Sequence, residues 1–298
     1  MPTSPGVSPI VAHLIVGNAV EPYLEAALAS IATVCAHAVV NDNAGTSDGA
    51  NLAAIRASRF AVEGRLTLLQ TPFSDFASAR NACIDATPSA FSNSWALRVD
   101  ADEVFDDGLS RLRANLERIA SNAQAVDGYS RHFVGSFAYY TEIARQMLLF
   151  RLDRGLRWRN PVHERLESVA RRVPTPLLLF HYGHVVPPHV EQARGLRYAS
   201  LGQSTADQLD ARQRHTTASM WGRLLAQAIP FEGRHPPAAA ETLARLRQTW
   251  REQFEEVERI VAEQSPFARA RNGARALNYG RLLFWRRLQT RVRFGVAF

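Results

Sequence analysis

Trp95-Ala96-Leu97-Arg98-Val99-Asp100-Ala101-Asp102-Glu103 is a short apolar run that stops abruptly in three carboxylates. Its length and its β-forming residues predict a strand ending at a loop. Alternation along that strand puts Asp100 and Asp102 on one side. A hard divalent cation takes oxygen ligands, and magnesium or manganese is usually held by one or two carboxylates while substrate phosphates supply the rest. The same carboxylates suit equally well the acidic N-cap of a helix over Leu109 to Ala120.

Upstream, an apolar run from Ile10 to Val16 precedes an amphipathic stretch from Glu21 to Val34. A second run, Ala38 to Val40, ends in Asn41-Asp42-Asn43. Leu52 to Phe60 suits a helix, Leu66 to Leu69 a strand and Phe76 to Ala86 a helix. Short strands alternating with helices call for a parallel sheet with crossover helices, and ligands in such sheets sit at the carboxyl ends of the strands. Asn41 to Asn43 and Asp100 to Asp102 both fall there. Downstream, Gly128 to Phe180 holds shorter β-leaning pieces, such as Met147 to Leu152 and Pro176 to Phe180. From Val190 the pattern turns helical: Val190 to Leu209, His215 to Ala228, and Ala238 to Ala262 with Leu243, Leu246, Trp250, Phe254 and Val257 on one face. The expected organisation is one α/β domain over 1–190 and a helical extension over 191–298.

The chain has 298 residues, 46% hydrophobic and 21% charged, which is the range of ordinary globular proteins. Its net charge of +7 is uneven, because eight arginines and no acidic residue follow Glu263. No lysine occurs anywhere. That removes the lysines of Walker phosphate loops, of pyridoxal enzymes and of kinases. Two cysteines, Cys35 and Cys83, lie in apolar segments and make no disulfide framework, so a reducing cytoplasm is expected. No signal peptide and no spanning segment is expected either.

Five ordered segments resemble the bacterial glycosyltransferase family 2 of the GT-A fold, in the branch of lipopolysaccharide-core glucosyltransferases and peptide S-glycosyltransferases. They are Val16-Gly-Asn-Ala-Val-Glu21 through Ser30; Val39-Val-Asn-Asp42-Asn-Ala-Gly45-Thr-Ser47-Asp48-Gly49; Phe73-Ser-Asp-Phe76-Ala-Ser-Ala-Arg80-Asn81; Asp100 to Glu103; and Gly155-Leu-Arg-Trp158-Arg-Asn-Pro-Val162-His163-Glu164. The resemblance covers roughly residues 9 to 185, and departs from the family at Asn18-Ala19-Val20, where a charged stretch is usual. It implies a Rossmann-like nucleotide-diphospho-sugar transferase domain that transfers a sugar with inversion.

Under that resemblance Asp42 accepts a hydrogen bond from the nucleotide base, with a lean to uridine, and Asp48, Arg80, Asn81 and Asp100 complete the nucleotide site. Asn41 to Gly45 reads equally as a simple turn. An arginine fork at Arg80 would offset charge on a leaving diphosphate. Asp102 and His181, in the segment His181-Tyr182-Gly183-His184 that resembles the family's His-Tyr-Gly, are implied ligands of Mn²⁺ or Mg²⁺. Inverting transfer also needs a general base, for which Glu164 is the candidate and His163 the rival. Alternatively, Glu164 pairs with Arg159 or Arg165 at the surface. The expected partners are a nucleoside diphosphate sugar and an acceptor of unknown kind: a lipid-linked saccharide, a peptide or a small molecule. The arginine-rich tail, Arg269 to Phe298, suits either the face of an anionic bilayer or a docked helix with a solvated side. No nucleic-acid motif is present. A metal-dependent nucleotidyltransferase and a catalytically inactive nucleotide-sugar-binding module are the alternatives.

Overall fold

The computed structural model describes residues 8–17, 20–43, 49–202 and 217–298, with only the backbone given for 154 and 217–219. Strand β1 (Ile10–Val16) is buried at every position, as a strand covered on both faces must be. It pairs in parallel with β2 (His37–Asp42) on one side and β4 (Trp95–Asp100) on the other, and β3 (Leu66–Leu69) extends the sheet beyond β2. Helices α1 (Leu24–Ile31), α2 (Ala50–Ala57), α3 (Arg59–Val62) and α4 (Phe76–Asp85) lie between these strands. The expected helix over Leu52 to Phe60 is therefore two, divided at Ser58, whose extended backbone and side-chain oxygen cap α3 at Ala61 N.

Beyond β4 the sheet becomes mixed. Strand β5 (Glu103–Phe105) and helix α5 (Gly108–Ala120) precede three long strands, β6 (Ala125–Val134), β7 (Ser136–Arg151) and β10 (Arg172–His184). Two short pieces, β8 (Trp158–Arg159) and β9 (Arg165–Leu166), form a separate antiparallel pair. The main sheet runs β3-β2-β1-β4-β7-β6-β10-β5. β7 is antiparallel to β4 and β6, β10 is parallel to β6, and β5 is antiparallel to β10. This is the α/β, GT-A type of arrangement that the sequence implied. The long strands exceed the short pieces expected over Gly128 to Phe180. Glycine makes their tight turn possible: Gly135 joins β6 to β7 at φ +66.

Helix α6 (Pro188–Ser200) begins the helical part, followed by α7 (Thr217–Leu225), strand β11 (Ile229–Pro230), α8 (Ala240–Thr249), α9 (Arg251–Ala262) and α10 (Pro266–Phe294). The single helix expected over Ala238 to Ala262 breaks at Trp250, whose φ of −112 and ψ of +31 leave the helical region. The ends of the expected helices at 203–209 and 215–216 lie outside the described residues. The extension shares a core with the sheet. β11 pairs with β7, and Leu243, Leu246 and Leu283 pack in one cluster with Tyr23, Phe133 and Tyr182. Rings stack there at 5.2 Å between Tyr23 and Tyr182 and at 5.1 Å between Phe133 and Tyr182. Both cysteines are buried and free. Among the described residues no helix is long and apolar enough to cross a membrane.

Candidate active site

Strand order reverses between β1, which leads to β2, and β4, which lies on the other side of β1. The crevice at the carboxyl ends of two such strands is where open α/β sheets bind ligands. A cavity of about 800 Å³ opens there, and Gly17, Arg80, Asp100, Asp102, Glu164 and His181 are among its walls.

Arg80 is the hub of one half. Helix α4 is capped by Asp75, whose carboxylate accepts from Ser78 N at 2.8 Å, and it buries Ala77, Arg80 and Cys83 on one face. Arg80 Nη2 donates to Asp100 Oδ1 at 2.7 Å and Nε donates to Glu164 Oε1 at 2.5 Å. Its guanidinium lies 5.3 Å from the Trp158 ring, and its Nη1 is buried without a hydrogen-bond partner. Arg98 Nη1 donates to the other oxygen of Asp100 at 2.9 Å. Burial acts to raise the Asp100 carboxyl, but Arg80 and Arg98 outweigh it and hold the group well below the usual carboxylate range.

The second half gathers round Asp102. Tyr182 N donates to Asp102 O at 2.9 Å, and the antiparallel pairing of β5 with β10 sets His181 opposite Glu103. His181 Nε2 stands 3.5 Å and Arg194 Nη1 3.7 Å from the Asp102 carboxylate. Burial raises the Asp102 carboxyl, with Arg194 opposing, and pushes the His181 imidazole down to about 3. A Cβ on Gly183 would lie 2.5 Å from Asp102 Oδ2 and 2.7 Å from the His181 ring, so only glycine permits this approach. Asp102 and His181 thus form an oxygen and nitrogen pair fit for a divalent cation. The other ring nitrogen of His181, Nδ1, is buried with no hydrogen-bond partner.

The structure brings Arg80, Asp100, Asp102, His163, Glu164 and His181 onto one cavity wall. His163 adopts φ +54, a conformation costing a non-glycine residue roughly 1–2 kcal/mol. Glu164 pairs with Arg80 rather than with the surface arginines, and Arg159 goes to Glu167 at 2.9 Å. Asn81 turns away from the cavity: its amide bonds the backbone of Trp158 at 3.0 and 2.9 Å, which anchors the chain leading to His163 and Glu164. Asp42 ends β2 rather than sitting in a turn, buried opposite Val16, while the cavity is lined by its neighbour Asn43. Asp48 lies outside the described residues. The helix-cap reading of Asp100 to Glu103 is corrected: the carboxylate at the start of α5 is Asp106, which accepts from Gly108 N at 2.8 Å. Glu103 instead closes the bend by accepting from Asp100 N at 3.0 Å and Arg98 Nη2 at 2.9 Å.

Sequence reasoning assigned no role to Arg98, Arg194, Glu21, Glu191 and His132, and weighed His184 only as a neighbour of His181. Arg98 carried a signal, since a charge inside an apolar strand needs a buried partner. Arg194, on α6, donates to Glu21 Oε2 at 2.8 Å and Gly183 O at 2.7 Å, contacts between segments far apart in the chain.

No family model and no curated protein matches the chain. Solved structures with some likeness include S. aureus TarS 1–349, at 11% identity over 96% of this chain and 92% of that one, with a TM-score of 0.38. A provisionally named glucose-1-phosphate thymidylyltransferase of Bacillus anthracis, in complex with sucrose, is 11% identical over 70% of this chain and 85% of that one, with a TM-score of 0.33. The mannose-6-phosphate isomerase of Helicobacter pylori is 10% identical over 49% and 71%, with a TM-score of 0.34. Likeness of this depth says nothing of activity.

Proposed function

We propose that the chain is an inverting, metal-dependent glycosyltransferase that uses a nucleoside diphosphate sugar, with a uridine diphosphate favoured. The observation that carries this reading is the sorting of charge within one cavity. Asp102 and His181 offer cation ligands in one half, with Arg194 beside them, and Arg80 and Arg98 around Asp100 offer positive charge to a diphosphate in the other. A bound divalent cation would supply charge neutralisation at the diphosphate oxygens.

The chain's own residues do the rest. Arg80 and Arg98 hold the carboxylate of Asp100 in one orientation toward the donor, so that its reorganisation does not have to be met during the reaction. Glu164 takes the proton from the acceptor hydroxyl, with His163 as the rival base. Arg80 fixes Glu164 in place and supplies positive charge beside the leaving group. Asp42 and Asp48 serve the base, and Asn81 acts through the loop it anchors.

Residues 1–190 then bind the donor, while the helical part over 191–298 shapes the choice of acceptor and closes the cavity with α6. We place the protein in the cytoplasm, with α10 able to rest on the inner membrane face. Leu277, Phe284, Trp285, Leu288 and Val292 are exposed along α10 beside Arg281, Arg287 and Arg291, the pattern of an interfacial helix.

Calorimetry of UDP binding, with Mn²⁺ and with EDTA, tests the reading. Binding only with the cation is expected, and equal affinity in both would remove the metal-dependent reading. Release of pyrophosphate from a sugar phosphate and a nucleoside triphosphate would favour the nucleotidyltransferase instead. Donor binding with no turnover on any acceptor, water included, would favour the inactive module.

A further inference from the structure

His132, on β6, and His181, on β10, are direct partners in a parallel ladder, so their side chains leave the sheet on the same face. Their ring centroids are 4.6 Å apart. His184 lies three residues beyond His181, and strict alternation would send it to the opposite face. The register between β6 and β10 shifts between these two residues, and the irregularity turns His184 back toward its neighbours, with the rings of His181 and His184 5.6 Å apart. One ring nitrogen from each of the three histidines lies within 4.8 Å of the others.

The surroundings of His184 and His181 are compatible with metal ligation. His184 Nδ1 is 2.9 Å from Glu191 Oε1 on α6. A carboxylate can only accept, so that nitrogen carries a proton, and in the neutral ring Nε2 keeps its lone pair. A carboxylate behind an imidazole is also the usual outer partner of a metal-bound histidine. His181 Nδ1 is buried and bonded to nothing, and the Asp102 carboxylate stands 3.5 Å from the Nε2 of the same ring.

We propose that His132, His181 and His184, with Asp102 beside them, form a site for a divalent transition-metal ion of the zinc, cobalt and nickel class, occupied before any nucleotide arrives. Three imidazoles are a poor shell for Mg²⁺ and a good one for this class. Ligands about such an ion stand about 3–4 Å apart at bond lengths of about 2.1 Å, so the rings need move by only about 1 Å to close on it. Three histidine ligands, with Asp102 as a neighbour outside the shell, leave the fourth position for a substrate oxygen. The inference deepens the metal part of the proposed function and rests on the same cavity, but the ion would bind whether or not sugar transfer occurs.

The test uses the full chain without a polyhistidine tag, stripped with EDTA and dialysed. Titration with Co²⁺ alone should develop a visible d–d absorption band at one equivalent, which Zn²⁺ then abolishes. His132→Gln should weaken Co²⁺ and Zn²⁺ binding by more than 100-fold, and Glu191→Gln, which keeps all three ligands, by about 10–100-fold. Should His132→Gln fail to fold, the Glu191→Gln result and the wild-type titration still decide. The proposal is overturned if Co²⁺ and Zn²⁺ bind no tighter than about millimolar, or if both variants bind as the wild type does. UDP binding that needs Mn²⁺, with Co²⁺ and Zn²⁺ binding no tighter than about millimolar, would keep the transferase reading and reject this one. Tight Co²⁺ and Zn²⁺ binding that His132→Gln abolishes, with no UDP binding under any condition, would do the reverse.

Discussion

Arg80 and Glu164 form an ion pair at 2.5 Å across 84 positions of sequence, and the same guanidinium reaches Asp100 at 2.7 Å. The proposed base and the proposed donor carboxylate are therefore mechanically one unit. With its side chain only 4% exposed, Arg80 is the buried countercharge on which both depend.

Glu164→Gln keeps an oxygen for Arg80 Nε yet cannot take up a proton. Turnover on a true acceptor should fall by about 10²–10⁴ while donor affinity is unchanged. Near-normal transfer would assign the base to His163.

Removing Arg80 leaves Glu164 without its cationic partner and Asp100 with Arg98 alone, in a poorly solvated place. Arg80→Ala should lower unfolding stability by about 3–5 kcal/mol, read from urea midpoints at neutral pH. A loss under about 1 kcal/mol would mean that water or neighbouring arginines replace it.

Asp42→Ala should weaken UDP binding by about 1–3 kcal/mol, the cost of an unpaired hydrogen bond to a charged group. Calorimetry against the wild type measures it. Unchanged affinity would assign Asp42 to the end of β2 and nothing more.

His13 gives a pH signature away from the cavity. Burial, with Arg80 adding, pushes its imidazole down to about 3, and its Nε2 bonds Thr87 Oγ1 at 2.8 Å. The unfolded chain takes up a proton near pH 6.5 that the folded chain refuses until about pH 3. Its contribution is therefore fully present above about 6.5 and declines as pH falls through that window, at up to about 1.4 kcal/mol per unit. His13→Gln should flatten the slope of stability against pH between about 6.5 and 4. Equal slopes for the two proteins would reject the assignment.

Helix α10 should bring the protein down with phosphatidylglycerol vesicles and not with phosphatidylcholine vesicles, and added salt should release it. Trp285→Ser together with Arg287→Gln and Arg291→Gln should weaken this binding severalfold, as each cation near the surface contributes about 1 kcal/mol. Sedimentation measures both. Indifference to lipid charge would leave α10 as a docked helix, held by Asn272 to Ala226 O and by Arg286 Nε to the Tyr129 hydroxyl at 2.9 Å.

Reading along the chain recovered the class of the fold. β1, β3 and β4 carry mainly apolar runs, broken only at His13, Thr67 and Arg98, and α4 and α5 carry helical spacing, patterns that one element imposes on its own residues whatever lies beside it. The stop of β4 in carboxylates also marked the candidate site, because charge inside a covered sheet is costly unless it is paired, as Arg98 is. The lengths of β6, β7 and β10 were illegible, since their faces alternate between aromatic packing and polar pairing with no single period. What lies beside an element is a matter of the whole fold. Arg80 meets Glu164 because α4 anchors the chain at Trp158, and His132 meets His181 because β6 and β10 pair in parallel. Local periodicity assigns a residue to a face, but which distant strand or helix presents its own residues to that face is set by packing, and the site is made of such pairs.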